Sequence, residues 1–391
     1  MLQFYIFLYI LFCVVFVLVY LCNMKLHIFN PEHDIAMASN ISTFTAPHAA
    51  RELRSELGYI PALWAEQGDL ILVEDVEAAI DSVRHLKCDI ADALFVIPED
   101  LSAFQLTRND TSVGQLEISP WGWDSALKYQ LSILNPDLLS VMPSDEYLLG
   151  IRDISSRKWG ATYLLPQLVA SDDLFIGKSE YIEDMDSLRS IASSLNKSVI
   201  KAPWSSSGRG IRYIEYPFTC HQEGWAANII RKQGGIMIEP YYNKVKDFGV
   251  EFESVNGEIV YNGLSLFKTI NGAYTGNIIA SDDEKRQFLS RYISINIIDR
   301  VCDAIIDILT PLFKGKYTGP FGIDMMIVAD DEHLKLHPCV ELNLRRTMGH
   351  VALSLAPKEP APQRLMRITY TNKYRMRLSD THENVIKNTI L

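Results

Sequence analysis

The first feature of this sequence that could do chemistry is a strand that ends in a lysine and is followed by a small, polar loop. The apolar run Val199-Ile200 ends at Lys201, and the next apolar run begins at Ile211. Small residues let backbone N–H groups approach phosphate oxygens, and a lysine on a rigid strand supplies a fixed positive charge. The spacing is neither that of the Walker loop nor that of the dinucleotide fingerprint. The candidate phosphate contacts in the loop are Ser205, Ser206, Ser207, Gly208, Arg209 and Gly210. Taken alone, the loop is explained equally well as a serine-rich hairpin.

A second feature is a set of oxygen ligands on two apolar strands. Glu341 and Asn343 occupy alternate positions of one run, so they point to the same face of an extended strand. Asp324, on the predicted strand 321–328, can join them if the two strands are neighbours. Two carboxylates and an amide oxygen suit a Mg²⁺ ion that also holds substrate phosphates. An ordinary charged strand face is the other interpretation, but the two polar residues interrupt an otherwise apolar run.

The elements before residue 144 must form a separate lobe. Short apolar runs alternate there with helical patterns, which predicts a parallel sheet with helices on both faces. Strands are predicted at 25–30, 60–64, 70–73 and 93–97, and helices at 46–57, 76–86 and, capped by Asp124, 124–134. We therefore expect a doubly wound, Rossmann-like lobe over residues 24–143. After its first strand, Asn30-Pro31-Glu32-His33-Asp34 could form a polar loop on the substrate side. His33 and His48 have no ligand spacing, so no metal site is predicted there.

The second half has α+β character with antiparallel strands. A helix capped by Ser144 is predicted to run toward Trp159, and Asn256-Gly257 is typical of a hairpin turn. A long amphipathic helix is predicted at 290–312, and the tail 357–391 is expected to pack as short helices. The predicted strands are 199–201, 211–216, 235–239, 249–255, 258–261, 321–328 and 333–343.

Taken in order along the chain, these motifs resemble the ATP-grasp superfamily of carboxylate–amine or carboxylate–thiol ligases. The resemblance covers residues 144 to about 356, and no single motif decides it. It implies a nucleotide-binding module of two subdomains, at 144–238 and 239–356, followed by the tail 357–391. Its cofactors would be ATP and Mg²⁺, and its subfamily is unassigned.

The resemblance also implies roles for individual residues. Lys201 matches the phosphate-binding lysine, and residues 205–210 match the phosphate loop. Ile238-Glu239-Pro240-Tyr241 matches the hinge, where Glu239 and adjacent backbone hold the adenine. Asp247 falls where the family places its ribose-binding acid, and Lys158 is a weaker match to an earlier nucleotide lysine. Arg157 or Arg152 could hold that last role instead.

The resemblance implies catalytic roles for two basic residues and a metal-binding role for three residues with oxygen ligands. Lys201 and Arg345 would act on the transferred phosphoryl group, and Asp324, Glu341 and Asn343 match the metal ligands. The implied reaction joins a small-molecule carboxylate to an amine or thiol through an acyl-phosphate. A phosphotransferase without the ligation step, or a non-catalytic ATP-binding regulatory protein, could use the same site. A homodimer is compatible with the resemblance.

Composition narrows the class of protein further. The 391 residues are 48% hydrophobic and 22% charged, which is typical of a globular chain with two or three lobes. A net charge of -11 argues against nucleic-acid binding, which needs a surplus of Lys and Arg. The six cysteines are scattered, as in reduced cytosolic proteins.

The first 22 residues are apolar apart from Gln3, a length that could span a membrane as a helix. They lack the basic start and cleavage site of a secretory signal. Only Asn23 separates them from Met24 and the first predicted strand, so an anchor would press the sheet into the lipid headgroups. We expect the native protein to start at Met24 and to be cytoplasmic. A single-pass membrane protein anchored by residues 2–22 is the alternative.

Overall fold

The computed structural model describes residues 24–88, 90–104, 116–205, 209–270, 273–357, 359 and 361–380. The apolar leader 1–23 lies outside these ranges, so its prediction stays untested. Within them, no helix combines the length and the apolar character needed to cross a bilayer.

The N-terminal lobe contains a parallel sheet in the order β3-β2-β1-β4. Its strands are β1 (Lys25–Ile28), β2 (Leu70–Leu72), β3 (Leu94–Val96) and β4 (Glu117–Pro120). Its helices are His33–Ser39, His48–Leu57, Val76–Leu86, Pro98–Ala103 and Ser125–Leu134, with a 3-10 helix at Pro136–Ser140. The predicted parallel sheet is confirmed.

One predicted strand of this lobe is wrong. Residues 60–64 form a 3-10 helix, Ile60–Leu63, in place of a strand. Pro61 lacks a backbone N–H and has a φ angle suited to the first turn of a helix, so it favours this start. Ile60, Pro61 and Ala62 are buried. A short buried apolar run of this kind has the same sequence pattern as a buried strand.

The next unit contains an antiparallel sheet in the order β5-β8-β6-β7. Its strands are β5 (Glu180–Ile182), β6 (Lys197–Lys201), β7 (Ile211–Glu215) and β8 (Ile236–Pro240). The helices Met185–Leu195 and Cys220–Gln233 pack on it through a small apolar core of their own. Side chains of Asp184 and Thr219 cap these two helices, as helix-start chemistry favours.

A second antiparallel sheet follows, in the order β10-β9-β13-β14. Its strands are β9 (Asn243–Val255), β10 (Glu258–Ser265), β13 (Gly319–Asp330) and β14 (His333–Asn343). The predicted turn between β9 and β10 is confirmed, because both Asn256 and Gly257 have positive φ. The helix Ile295–Phe313 packs on this sheet through the largest apolar cluster of the described residues. The helix Asp282–Leu289 precedes it.

Over the described residues 361–380, the prediction that the tail packs as short helices is wrong. β15 (Arg364–Tyr370) and β16 (Tyr374–Asp380) form an antiparallel pair that extends β11 (Phe267–Ile270) and β12 (Ala273–Ile279). The exposed edge of β12 offers unpaired backbone groups, and β15 satisfies them. A long-range pairing of this kind leaves no local sequence signal. The helix Met348–Ser354 lies before the pair.

The helix predicted from Ser144 to Trp159 is interrupted. The first helix, Asp145–Ile154, is capped by the Ser144 hydroxyl, which accepts a hydrogen bond from the Tyr147 N–H. Ser156 then caps a new turn, Arg157–Trp159, which continues through a π-helical turn, Gly160–Leu164, into the helix Leu165–Ser171. The restart places Arg157 at the start of a new turn, beside the end of β6.

Candidate functional site

A buried ion pair lies between the end of β6 and the end of β8. Lys201 Nζ is 2.6 Å from Glu239 Oε2, and the two side chains are only 6% and 10% exposed. Ser179 Oγ donates to the other carboxylate oxygen of Glu239 at 3.0 Å. Lys201 also approaches the Val340 carbonyl at 3.5 Å, which joins this sheet to β14. The predicted phosphate lysine and hinge acid therefore touch each other, on antiparallel strands that pair directly.

Arg157 connects the predicted phosphate loop to the acidic cluster. Its guanidinium donates to the Ala202 carbonyl at 2.6 Å, to Ser205 Oγ at 2.7 Å and to Glu341 Oε1 at 2.5 Å. Of the three basic residues considered for the nucleotide, Arg157 is thus the one placed among the other site residues. Lys158 is exposed, with its ammonium 4.0 Å above the Tyr181 ring. Arg152 lies over Trp204, with its guanidinium 3.9 Å from the ring centroid.

Three predicted metal ligands lie together on β13 and β14. Asp324 and Glu341 are register partners, and Asn343 Nδ2 donates to Asp324 Oδ2 at 3.3 Å. Burial and the nearby charges of Glu341 and Glu251 raise the pKa of Asp324 to about 8. This carboxyl therefore lies where a negative charge is costly unless a cation compensates it.

Arg345 joins this cluster to the N-terminal lobe. Its Nε and one Nη donate to the two carboxylate oxygens of Asp34, at 2.8 and 2.7 Å, in a bidentate pair. The same Nη donates to Asn343 Oδ1 at 3.2 Å. The guanidinium of Arg345 holds the pKa of Asp34 below its usual value, although burial opposes this. Of the predicted polar loop 30–34, residues 33 and 34 begin the helix His33–Ser39 instead, and Asp34 reaches the site from that helix.

The described part of the phosphate loop turns tightly. Ala202 N donates to the Gly210 carbonyl at 2.8 Å, and a Cβ atom at position 210 would overlap Ser205. Glycine is therefore required at that position. Arg209 is exposed, and Ser206, Ser207 and Gly208 lie outside the described residues.

Two further predicted nucleotide contacts lie away from the charged cluster. Asp247 accepts hydrogen bonds from Lys244 Nζ at 2.6 Å and from Thr269 Oγ1 at 3.2 Å. Tyr241 is half exposed, with its ring 6.2 Å from that of Tyr213. Within the described residues, neither side chain forms a hydrogen bond or ion pair with Lys201 or Glu341, so their nucleotide roles stay predictions.

The donor set fits a hard divalent cation. Asp324 and Glu341 supply carboxylate oxygens and Asn343 an amide oxygen. Burial, followed by the charges of Glu341 and Glu251, raises the pKa of Asp324, and a bound cation would favour its ionised form. Across the described residues, no group of three or more His, Cys, Asp or Glu side chains is arranged as a metal site. A magnesium ion here would therefore depend on the amide and on substrate phosphates to complete its shell.

Several polar residues of the site were not predicted. His337 is buried, neither ring nitrogen has a hydrogen-bond partner among the described residues, and burial lowers its pKa to about 4. Its ring meets Tyr242 edge-on at 5.3 Å. The strand β14 carries a register shift between its pairings with Asp324 and Met326, next to Pro338. The irregular strand breaks simple alternation, so counting by two could not place His337.

Comparison with known proteins gives a structural likeness and no sequence match. No family model and no curated protein matches the chain. An N5-carboxyaminoimidazole synthetase from Staphylococcus aureus, complexed with ADP, is 12% identical over 92% of this chain and 94% of that chain, with a TM-score of 0.49. A biotin carboxylase from Campylobacter jejuni is 12% identical over 88% and 75%, with a TM-score of 0.46. An Archaeoglobus fulgidus protein assigned to the ATP-grasp superfamily is 12% identical over 92% and 99%, with a TM-score of 0.43.

The Archaeoglobus fulgidus protein is the one of these three that is described as an ATP-grasp protein. At 12% identity and TM-scores below 0.5, the likeness concerns the general arrangement alone. What this chain does must therefore be argued from its own residues.

Proposed function

We propose that this chain is an ATP- and Mg²⁺-dependent ligase of the ATP-grasp kind, which activates a substrate carboxylate as an acyl-phosphate and condenses it with an amine or thiol. One observation carries the proposal. Three cations from separate segments meet β14 around the acidic pair: Arg157 contacts Glu341, Arg345 contacts Asn343, and Lys201 approaches the Val340 carbonyl. Such a mixture of fixed cations and oxygen ligands suits a polyphosphate and its metal better than it suits a neutral ligand.

The chain's residues have distinct roles in the proposed reaction. A substrate carboxylate oxygen attacks the γ-phosphorus and ADP leaves, so that positioning and charge neutralisation account for most of the rate. Lys201 would hold a phosphate oxygen once Glu239 turns to the adenine. Arg345 and Arg157 would stabilise charge on the transferred group. The amine then attacks the acyl carbon, and inorganic phosphate leaves.

Magnesium would be held by Asp324, Glu341 and Asn343, and it would supply charge neutralisation for the phosphates. Further parts of the proposal are nucleotide contacts by Lys158, the loop 205–210, Tyr241 and Asp247. They also include subdomain limits at 144–238 and 239–356, a Rossmann-like N-terminal lobe and a homodimer. The parallel strand order of β1 to β4 supports the description of the lobe.

The proposal is tested by ADP release. The chain is incubated with Mg²⁺-ATP and mixtures of carboxylates and amines, and each active mixture is repeated with Glu341→Gln. We expect the variant to lose at least about 100-fold in rate, since removing one fixed electrostatic contact costs that much. Glu258→Gln, an exposed glutamate at the start of β10, is the matched control and should keep the rate.

Product mass decides between the candidate reactions. ADP together with a condensed product supports ligation. A phosphorylated product supports the phosphotransferase, and ATP binding without turnover on any mixture supports a regulatory protein. If Glu341→Gln consumed ATP at the full rate with substrate present, the metal assignment would be rejected.

A further inference from the structure

We infer that His33 and Asp124 form the base that takes a proton from the attacking amine, and that the amine therefore binds at the carboxyl ends of β1 and β4. The inference rests on the proposed ligase function. It adds a location and a proton acceptor for the second half of that reaction.

The position of these two residues in the sheet favours a binding site. The chain leaves β1 toward β2 and β3 on one side, whereas β4 lies on the other side of β1. In open parallel sheets, ligands bind at the carboxyl ends of strands where the strand order reverses in this way. His33 follows β1 and Asp124 follows β4, so both lie at that point.

The geometry of the pair suits proton transfer. His33 Nδ1 lies 3.1 Å from Asp124 Oδ2, and the two side chains are 2% and 3% exposed. A carboxylate oxygen only accepts hydrogen bonds, so Nδ1 carries the ring proton and Nε2 keeps its lone pair. No hydrogen-bond partner of Nε2 is found in the part of the chain that the structure describes. The imidazole therefore has one nitrogen held by an acid and the other available as a base, which is the arrangement of a general base with an orienting carboxylate.

The surrounding backbone fixes this pair. Asn30 Nδ2 donates to the Gly122 carbonyl at 2.8 Å, which ties the two loops together. A Cβ atom on Gly122 would lie 2.8 Å from the His33 ring, so only glycine lets the imidazole pack there. Asp124 Oδ1 accepts from the Leu127 N–H at 2.8 Å and caps the following helix. Both members of the pair are thus held by rigid elements.

His33 faces the phosphate and metal residues. His33 lines a small cavity of about 20 Å³ together with Asp34, Ser205, Glu341 and Asn343. That space suits a group the size of one water molecule, such as an amino group. Met37, one turn further along the helix, lines this cavity and also a larger one of about 520 Å³. The rest of an acceptor molecule could occupy the larger cavity.

The charges near His33 are arranged in compensated pairs. Asp124 contacts the ring, Asp34 is paired with Arg345, and Glu341 is paired with Arg157. In the proposed step, the amine nitrogen forms a bond to the acyl carbon, and the carbon–oxygen bond to the phosphoryl group breaks with its electron pair on phosphate. The proton released by the nitrogen goes to His33 Nε2, and Asp124 stabilises the resulting imidazolium.

Hydroxylamine separates the two halves of the reaction. It is largely unprotonated at neutral pH and attacks acyl-phosphates without a base, so hydroxamate formation reports the first half alone. The full chain is given Mg²⁺-ATP, a mixture of the twenty amino acids and common dicarboxylic acids, and either hydroxylamine or a panel of primary amines. Mass spectrometry measures hydroxamates and amides.

His33→Asn is the central variant, because the asparagine amide can keep the hydrogen bond to Asp124 but has no nitrogen that accepts a proton. We expect hydroxamate formation within about twofold of the unmodified chain, and amide formation lower by at least about 100-fold. The loss should shrink at high pH, where more of the amine is already neutral. Asp124→Asn should lose amide formation as well, because its amide can donate to Nδ1 and move the ring proton to Nε2. His48→Asn removes an exposed histidine paired with Glu52 and should change neither product.

Three results would overturn the inference. Amide formation near the normal rate in His33→Asn excludes a base at this position. An equal loss of hydroxamate and amide means that His33 only positions the loop or the nucleotide site. If the unmodified chain makes no hydroxamate from any carboxylate, the proposed ligase function itself fails, and the role of His33 fails with it.

Discussion

Two charged groups face each other across the candidate site, and they differ in how their charge is balanced. Lys201 and Glu239, on the sheet β5-β8-β6-β7, form a buried pair of opposite charges. Asp324 and Glu341, on the sheet β10-β9-β13-β14, bring like charges together, with Glu251 nearby, and the pKa of Asp324 rises to about 8. The first pair is compensated within the protein, whereas in the second Glu341 is paired with Arg157 and Asp324 has no ion-pair partner among the described residues.

The contrast shows how one cleft can serve both parts of a magnesium nucleotide. A paired lysine keeps its charge and geometry until a phosphate competes for it. Asp324 gains a compensating charge only when a cation binds, so cation binding should stabilise this cluster. The predictions below test this difference, beginning with the largest expected effect.

Replacing Lys201 with Met should destabilise the fold by about 3–5 kcal/mol, because the buried carboxylate of Glu239 would lose its partner. Thermal or denaturant unfolding of the variant measures this. Lys197→Met, at the other end of the same strand, is the matched control. A variant as stable as the original chain would mean that Lys201 and Glu239 do not depend on each other.

Replacing Asp324 with Asn should stabilise the fold, the opposite of the effect expected for Lys201→Met. At pH 8.5 and without divalent cations, the amide removes like-charge repulsion, so we expect the fold to gain about 2 kcal/mol. Unfolding followed in EDTA tests it. A loss of stability similar to that of Lys201→Met would remove the distinction between the two groups.

The stability contribution of Asp324 should also depend on pH. Its pKa in the folded chain, about 8, lies above the ordinary 3.8, so the folded state binds more protons than the unfolded state between these values. Stability therefore falls as pH rises from about 4 to about 8. Magnesium binds the ionised form, so its affinity should rise about tenfold per pH unit below about pH 8.

Magnesium titrations of the chain at pH 6.5, 7.5 and 8.5, by calorimetry or thermal shift, measure that slope. Asp324→Asn should bind magnesium weakly and with little dependence on pH. A slope that is unchanged in the variant would assign the proton to another group.

The smallest effect is expected for Lys197→Met. Lys197 lies 3.6 Å from Glu215 in a pair whose side chains are 58% and 74% exposed. Exposed pairs contribute little, so the change in stability should stay within about 0.5 kcal/mol. Comparing it with Lys201→Met in one unfolding series shows that the large effect comes from burial and not from losing a lysine.

The sequence predicted the parts of the fold that depend on local patterns. Alternation predicted that Glu341 and Asn343 share a face, with Asp324 on a neighbouring strand, and Asn256-Gly257 predicted the hairpin turn between β9 and β10. The pairing of β12 with β15 joins segments far apart in the chain, and neither segment carries a local mark of its partner. The tail was therefore predicted wrongly.

In the site, too, local motifs could be predicted and contacts between distant segments could not. Lys201 and the loop after it have a recognisable local chemistry, whereas the bidentate contact of Arg345 with Asp34 spans most of the chain. The loop after β1 was considered as a substrate loop from its position in the sheet, but the pairing of His33 with Asp124 depends on β1 and β4 being neighbours. The adjacency of β1 and β4 follows from the strand order of the sheet, which the sequence alone does not specify.

The central claim, that a carboxylate is activated by phosphorylation before it is condensed, is tested most directly by oxygen transfer. A carboxylate found active in the ADP-release assay is labelled with oxygen-18 and converted with Mg²⁺-ATP and the acceptor. The acyl-phosphate keeps a carboxylate oxygen between carbon and phosphorus, and cleavage of the carbon–oxygen bond leaves that oxygen on phosphate. We predict inorganic phosphate carrying one labelled oxygen. Unlabelled phosphate formed along with the condensed product would contradict the account.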